Sequence, residues 1–159
     1  MEKLFLWIVA LGLVIGFALP GSSPRSDGNP HRITTPSEPP HETELERASS
    51  GHFYVYAKVN GELAKFIVDT GADVVALTKD DAERAGIKVD PSQFQIIGEG
   101  ASGPVRGQPV TIDSIEVDGK LVNDVRGVVL ADSSLSLLGQ SYLARMGEVQ
   151  MRGDTMVLR

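Results

Sequence analysis

The sequence predicts an all-β domain, a small barrel or sandwich with one or two short helices, preceded by an N-terminal hydrophobic helix. Three observations lead there. Many short strand-like runs are separated by glycine-bearing turns. Two of those turns, Asn60-Gly61 and Asp118-Gly119, pair residues that tolerate positive φ and so close tight hairpins. Only 6% of residues are aromatic against 42% hydrophobic, so the core must be mainly Val, Leu, Ile and Ala.

Taken in order, the chain has three regions. Leu4 to Leu19 carries no charge. It approaches the ~17–25 apolar residues of a spanning helix and exceeds the ~7–15 of a cleaved signal core. Residues 1–20 are therefore expected to be an uncleaved signal anchor, with the remainder across a membrane. Residues 21–50 are polar and proline-rich, and cannot bury enough apolar surface to offset their ordering entropy. They read as a disordered tether.

Residues 51–159 read as the folded domain. Phe53 to Val59 and Glu62 to Val68 form a hairpin around Asn60-Gly61. A short helix starts with Thr78 as N-cap and Asp81 as its capping-box partner, and Gly86 ends it. Phe94 to Ile97 is a strand, Gly98 to Gly103 a turn, and Val105 begins the returning strand. Val125 to Leu130 is a strand, and Gln140 to Arg145 a short helix. Glu148 to Met151 and Thr155 to Leu158 make a last hairpin around Gly153-Asp154. That hairpin accounts for the tripeptide Arg152-Gly153-Asp154 as a turn. No internal repeat is present, so the domain is not a fused double lobe.

Composition excludes several functions. The net charge of −6 argues against a nucleic-acid surface. There are no cysteines, which removes thiolate metal sites and disulfides. The three histidines, His31, His41 and His52, lie at or before the edge of the folded region, which leaves little for a metal site or a Ser-His-Asp triad.

One constellation carries chemistry. In Phe66-Ile67-Val68-Asp69-Thr70-Gly71-Ala72 an apolar strand delivers a carboxylate into a turn. A strand end is a rigid mount, and Gly71 permits a tight turn and close approach of another backbone. Alone, Asp-Thr-Gly is weak and equally describes an Asx turn. Downstream, Leu137-Leu138-Gly139 runs from an apolar strand into a short helix. Between the two, Gly98-Glu99-Gly100-Ala101-Ser102-Gly103 forms a glycine-rich tip between strand-like runs.

In that order the three features resemble the retropepsin-like aspartic proteases, and most of all a bacterial branch with a single transmembrane segment. The resemblance spans residues 51–159 and implies a small closed β-barrel. Asp69-Thr70-Gly71-Ala72 is similar to the catalytic signature of the family. Leu138-Gly139 is similar to its second motif, whose strand packs beside the catalytic loop. Gly98 to Gly103 falls where the family carries its flap. The implied roles are catalysis for Asp69, Thr70 and Gly71, and substrate contact for Ala72, Gly98, Glu99, Gly100, Ala101, Ser102 and Gly103. Two departures stand out. Gln140 follows Gly139 where viral members usually place Arg or Asn, and the tip lacks a Thr-Ala-Asn-Gly-like sequence.

Peptide hydrolysis in this family needs two adjacent carboxylates, and the chain offers one Asp-Thr-Gly. Asp132-Ser133-Ser134 lacks the glycine and reads as a surface turn. A two-fold homodimer would supply the second Asp69. The resemblance thus implies a membrane-tethered aspartic endopeptidase acting on polypeptides, with no metal or organic cofactor. A catalytically silent dimer serving as a scaffold and a monomeric ligand-binding β-domain are the rival expectations.

Overall fold

The computed structural model describes residues 34–100 and 103–159. The expected anchor at residues 1–20, residues 21–33 of the expected tether, and Ala101 and Ser102 lie outside the described residues.

The strands are β1 (Thr43–Glu46), β2 (Tyr54–Val59), β3 (Glu62–Val68), β4 (Val75–Leu77), β5 (Gln95–Gly100), β6 (Gly103–Val117), β7 (Lys120–Leu130), β8 (Ser136–Leu138), β9 (Val149–Arg152) and β10 (Thr155–Leu158). Two helices, α1 (Lys79–Arg84) and α2 (Gln140–Leu143), are both short. The main sheet runs β2-β3-β8-β4-β7-β6-β5, and β2 also pairs with β6. That pairing closes a barrel of six strands and leaves β5 as an arm on β6. The expectation of a closed all-β barrel holds.

Local chemistry accounts for most of these elements. β2 and β3 pair in register from Tyr54↔Ile67 to Val59↔Glu62, turning through Asn60 (φ 51) and Gly61 (φ 94). Val55, Ala57 and Val59 point into the core and Tyr54, Tyr56 and Lys58 outward, the period of two that a half-buried strand requires. Thr78 caps α1 by accepting from Asp81 N at 3.0 Å, and Gly86 (φ 72) lies just past its end. Pro109 sits within β6 opposite Val128 on β7. On its other side β6 meets β5 only through Gly107 and β2 only from Ile115, so no ladder bond is lost there.

β4, the C-terminal end of β7 (Val128 to Leu130) and the leucines of β8 bury apolar side chains on both faces. Val75, Leu77, Val129 and Leu138 face the main core with Phe66, Ile112 and Tyr142. Ala76, Val128, Leu130, Val74 and Leu137 form a second cluster on the opposite face, with Ile97 and Val105 from β5 and β6 packed over it. Strands covered on both sides read as continuous apolar runs, which Val74-Val75-Ala76-Leu77 and Val128-Val129-Leu130 are.

Two sequence expectations need correction. The domain does not begin at Gly51. β1 pairs antiparallel with β10 from Thr43↔Leu158 to Glu46↔Thr155, in a three-stranded sheet ordered β1-β10-β9. Ahead of it Ser37 is held by the buried Glu116 and by Lys58, while Thr43 Oγ1 donates to Asp118 Oδ2 at 2.5 Å. Thr43 and Leu45 alternate with exposed Glu44 and Glu46, a strand pattern too short to stand out beside Pro39 and Pro40. Second, Gly98 and Glu99 are not turn residues. They extend β5 opposite Val105 and Pro104, after a bulge between Ile96 and Gly98.

Candidate active site

Asp69 directly follows β3 and is half-buried. Its backbone N donates to Leu138 O at 3.1 Å, so the parallel pairing of β3 with β8 continues up to the carboxylate. Asp69 Oδ1 accepts from Gly71 N at 2.9 Å, and Ala72 N closes back on Asp69 O at 3.3 Å. This is an Asx turn. It fixes one carboxylate oxygen and leaves the side chain at the exposed tip made by Thr70 and Gly71. Here a turn and a mounted acid are the same arrangement.

The second motif cradles that loop. β8 lies between β3 and β4, parallel to the first and antiparallel to the second. Gly139 then passes so close to the loop backbone that a Cβ there would lie 2.3 Å from Val74 O and 2.7 Å from Ala72 O. Only glycine allows this approach. The next two residues tie the loop down. Gln140 N donates to Ala72 O at 2.8 Å, and Gln140 Nε2 donates to Thr70 O at 2.8 Å. Ser141 N donates to Asp73 O at 3.0 Å, while Ser141 Oγ accepts from Val75 N at 2.9 Å and donates to Arg126 O at 2.7 Å. Residues 69–75 are thus bonded to the start of α2 at both ends.

A cleft of roughly 560 Å³ opens beside this loop. Val74, Ile97, Val110 and Val128 make its apolar wall, and Asp73, Arg126 and Gln140 bring polar groups to it. Apolar walls with a few placed polar groups are the usual lining of a ligand-binding cleft. The β5–β6 arm contributes Ile97, and its ladder runs out to Gly100↔Gly103, around Ala101 and Ser102. Among the described residues no cluster of three His, Asp or Glu side chains could hold a metal ion. No helix among them is long and apolar enough to cross a membrane.

The structure therefore brings Asp69, Thr70, Gly71 and Ala72 together with Leu138 and Gly139. Gly98, Glu99, Gly100 and Gly103 lie on the separate β5–β6 arm. Sequence reasoning missed Gln140 and Ser141 as supports and Arg126 and Val128 as cleft residues. The position of Gln140 right after Gly139 was the one available signal, and it was read only as a departure.

Comparison with known proteins agrees with this geometry. Residues 55–145 match the family described as "gag-polyprotein putative aspartyl protease". An uncharacterized protein of Rickettsia prowazekii (strain Madrid E) is 33% identical over 114 residues, covering 72% of this chain and 49% of the relative. Another, encoded in the cobV 5′ region of a Sinorhizobium species, is 35% identical over 129 residues, 80% of this chain and 55% of the relative. The chain spans about half the length of these curated relatives. Among solved structures, a retropepsin-like aspartic protease from Rickettsia conorii matches with TM-score 0.63 and 34% identity, over 74% of this chain and 90% of that one. EIAV protease, solved with the inhibitor HBY-793, matches with TM-score 0.52 at 23% identity, over 62% of this chain and 91% of that one, a likeness of fold.

Proposed function

This chain belongs to the retropepsin-like aspartic proteases, and on that footing we propose that it is a homodimeric endopeptidase whose catalytic pair is Asp69 from each of two copies. The observation that carries the proposal is the mounting of Asp69. A carboxylate at a strand end, held by an Asx bond and by a second strand, and set beside an apolar cleft, is placed for chemistry on a bound polypeptide.

The chemistry needs two acids. Two carboxylates in contact cannot both ionise, so the pair shares one proton. The ionised member takes a proton from water as the water oxygen bonds to the peptide carbonyl carbon. The protonated member donates to the carbonyl oxygen. As the C–N bond breaks, a proton passes to the leaving nitrogen. Thr70, next to each Asp69, braces the two loops across the axis, and the β5–β6 arm with Gly98, Glu99, Gly100 and Gly103 covers the substrate. Leu4 to Leu19 anchors the protein in the inner membrane, with the catalytic domain on the periplasmic side. Confinement to a membrane raises the effective concentration of partner copies.

The test compares the full chain with its Asp69→Asn variant on an unfolded protein substrate. Loss of the acid–base pair should lower cleavage by about 10²–10⁴-fold. Equal cleavage by the two proteins would refute the assignment.

A further inference from the structure

Most arginines of the domain have a partner. Arg47, Arg84, Arg145 and Arg159 each hold a neighbour through the guanidinium. Arg126 differs. Its carbonyl accepts from Ser141 Oγ at 2.7 Å, which fixes the backbone there. Among the described residues no hydrogen bond or ion pair engages its side chain. A solvated arginine without a partner is ordinary on a surface. Arg126, however, lines the cleft beside the Asp69 loop.

Its neighbours follow from the strand register. Val75 pairs with Gly127 in the parallel ladder of β4 and β7, so Arg126 continues that register beside Val74. Along β7, Val128 shares a face with Arg126, since side chains alternate. That face is the one on which Val74, Val128 and Ile97 pack together. The guanidinium therefore stands at one end of an apolar strip. Asp73 is the acidic residue of the same lining, but it belongs to the loop that carries Asp69, with its carbonyl accepting from Ser141 N at 3.0 Å. Arg126 is on β7, outside that loop.

We propose that Arg126 is a specificity-determining residue, and that it selects polypeptides carrying Glu at a position away from the scissile bond. A glutamate fits the strip at both ends. Its methylene stem lies along Val74 and Val128, and its carboxylate meets a guanidinium fork that binds carboxylates through two parallel hydrogen bonds. The apolar walls displace water around the pair and strengthen its attraction over that in open solvent. Gln has the same shape without the charge, and Lys is repelled. Asp is shorter and reaches less well. The inference deepens the proposed function and rests on its reading of the cleft as the place where a polypeptide binds.

The test uses peptides of an unfolded protein substrate, remade with Glu, Gln or Lys at each position in turn. At the position that meets Arg126, the full-length wild type should prefer Glu over Gln by about 3–10-fold in kcat/KM. Arg126→Ala should abolish that preference. Arg126→Glu should turn it toward Lys, a gain that misfolding cannot produce. A Glu preference that survives in Arg126→Ala overturns the inference, and so does the lack of any position where Glu exceeds Gln. A preference for Lys that strengthens in Arg126→Ala gives the selection to Asp73 and overturns it too. Failure of the wild type to cleave any peptide would defeat the protease reading instead. The same peptides titrated onto the full-length Asp69→Asn protein, with and without Arg126→Ala, then decide the role of Arg126. Tighter binding of the Glu form that depends on Arg126 upholds it, and equal binding of Glu and Gln forms, or binding of neither, refutes it.

Discussion

Gly139→Ala should destabilise the domain strongly although it adds one methyl group. The new Cβ would lie 2.3 Å from Val74 O, 2.7 Å from Val74 C and 2.7 Å from Ala72 O. All three are backbone atoms, so no side chain can swing away. Restoring a normal contact requires the 139 backbone and the 72–74 loop to part by roughly 1 Å, an overpacking cost of about 1–3 kcal/mol. That movement also stretches the bonds from Gln140 N to Ala72 O and from Ser141 N to Asp73 O, each worth about 1 kcal/mol net. Together the loss is about 3–5 kcal/mol, a large part of the ~5–15 kcal/mol that folds a domain. Urea unfolding of the two proteins measures it. Gly147→Ala serves as the control, since its nearest neighbour, Arg159 O, would lie 3.4 Å away, and it should change stability by less than about 0.5 kcal/mol. A Gly139→Ala protein within about 0.5 kcal/mol of wild type would show that the cradle yields, and the reasoning would fail.

Other outcomes follow from the same geometry. Gln140→Ala removes the bond to Thr70 O and should lower kcat about 10–100-fold, because a loosened loop misplaces the acid; steady-state kinetics check this, and an unchanged kcat refutes it. Tyr142 is fully buried and donates to Lys120 O at 2.6 Å, and burial raises its hydroxyl pKa well above the usual 10.0. A raised folded-state pKa contributes stability present below pH 10 and lost as pH climbs beyond it. Melting temperature should therefore fall above pH 10 in the wild type and fall less in Tyr142→Phe. A chain starting at Gly51 lacks β1 and the stacking of Arg47 over Phe53, 4.5 Å from the ring centroid. It should be about 2–4 kcal/mol less stable than one starting at Thr34, as read by denaturant titration.

Elements fixed by nearby residues were legible in the sequence. The β2–β3 hairpin, the Thr78 cap and the Gly153-Asp154 turn each depend on a few adjacent side chains, and all formed where expected. β1 was not legible, because its partner β10 lies more than a hundred positions downstream and its own glutamates favour solvent. β4 escaped for a similar reason. Three residues show no period, and Val75–Leu77 is a strand only because β7 and β8 flank it. At the site, motif order picked out Asp69, Leu138 and Gly139. Gln140 was missed, since nothing local tells that its amide reaches a carbonyl 70 positions earlier.

That separation also bears on when the protein becomes competent. The β2–β3 and β6–β7 hairpins close short loops and can form early, whereas joining β3 to β8 closes a loop from Phe66 to Ser136. On a ribosome, Asp69 emerges long before Gly139 and Gln140 do. The acid is then expected to stay loosely held until nearly the whole domain has been synthesised, and pulse-labelled amide exchange during refolding should show Asp69 and Gln140 protected after the β6–β7 hairpin. A chain truncated before Gly139 should therefore carry Asp69 in a loop that lacks the bonds from Gln140 to Thr70 and Ala72.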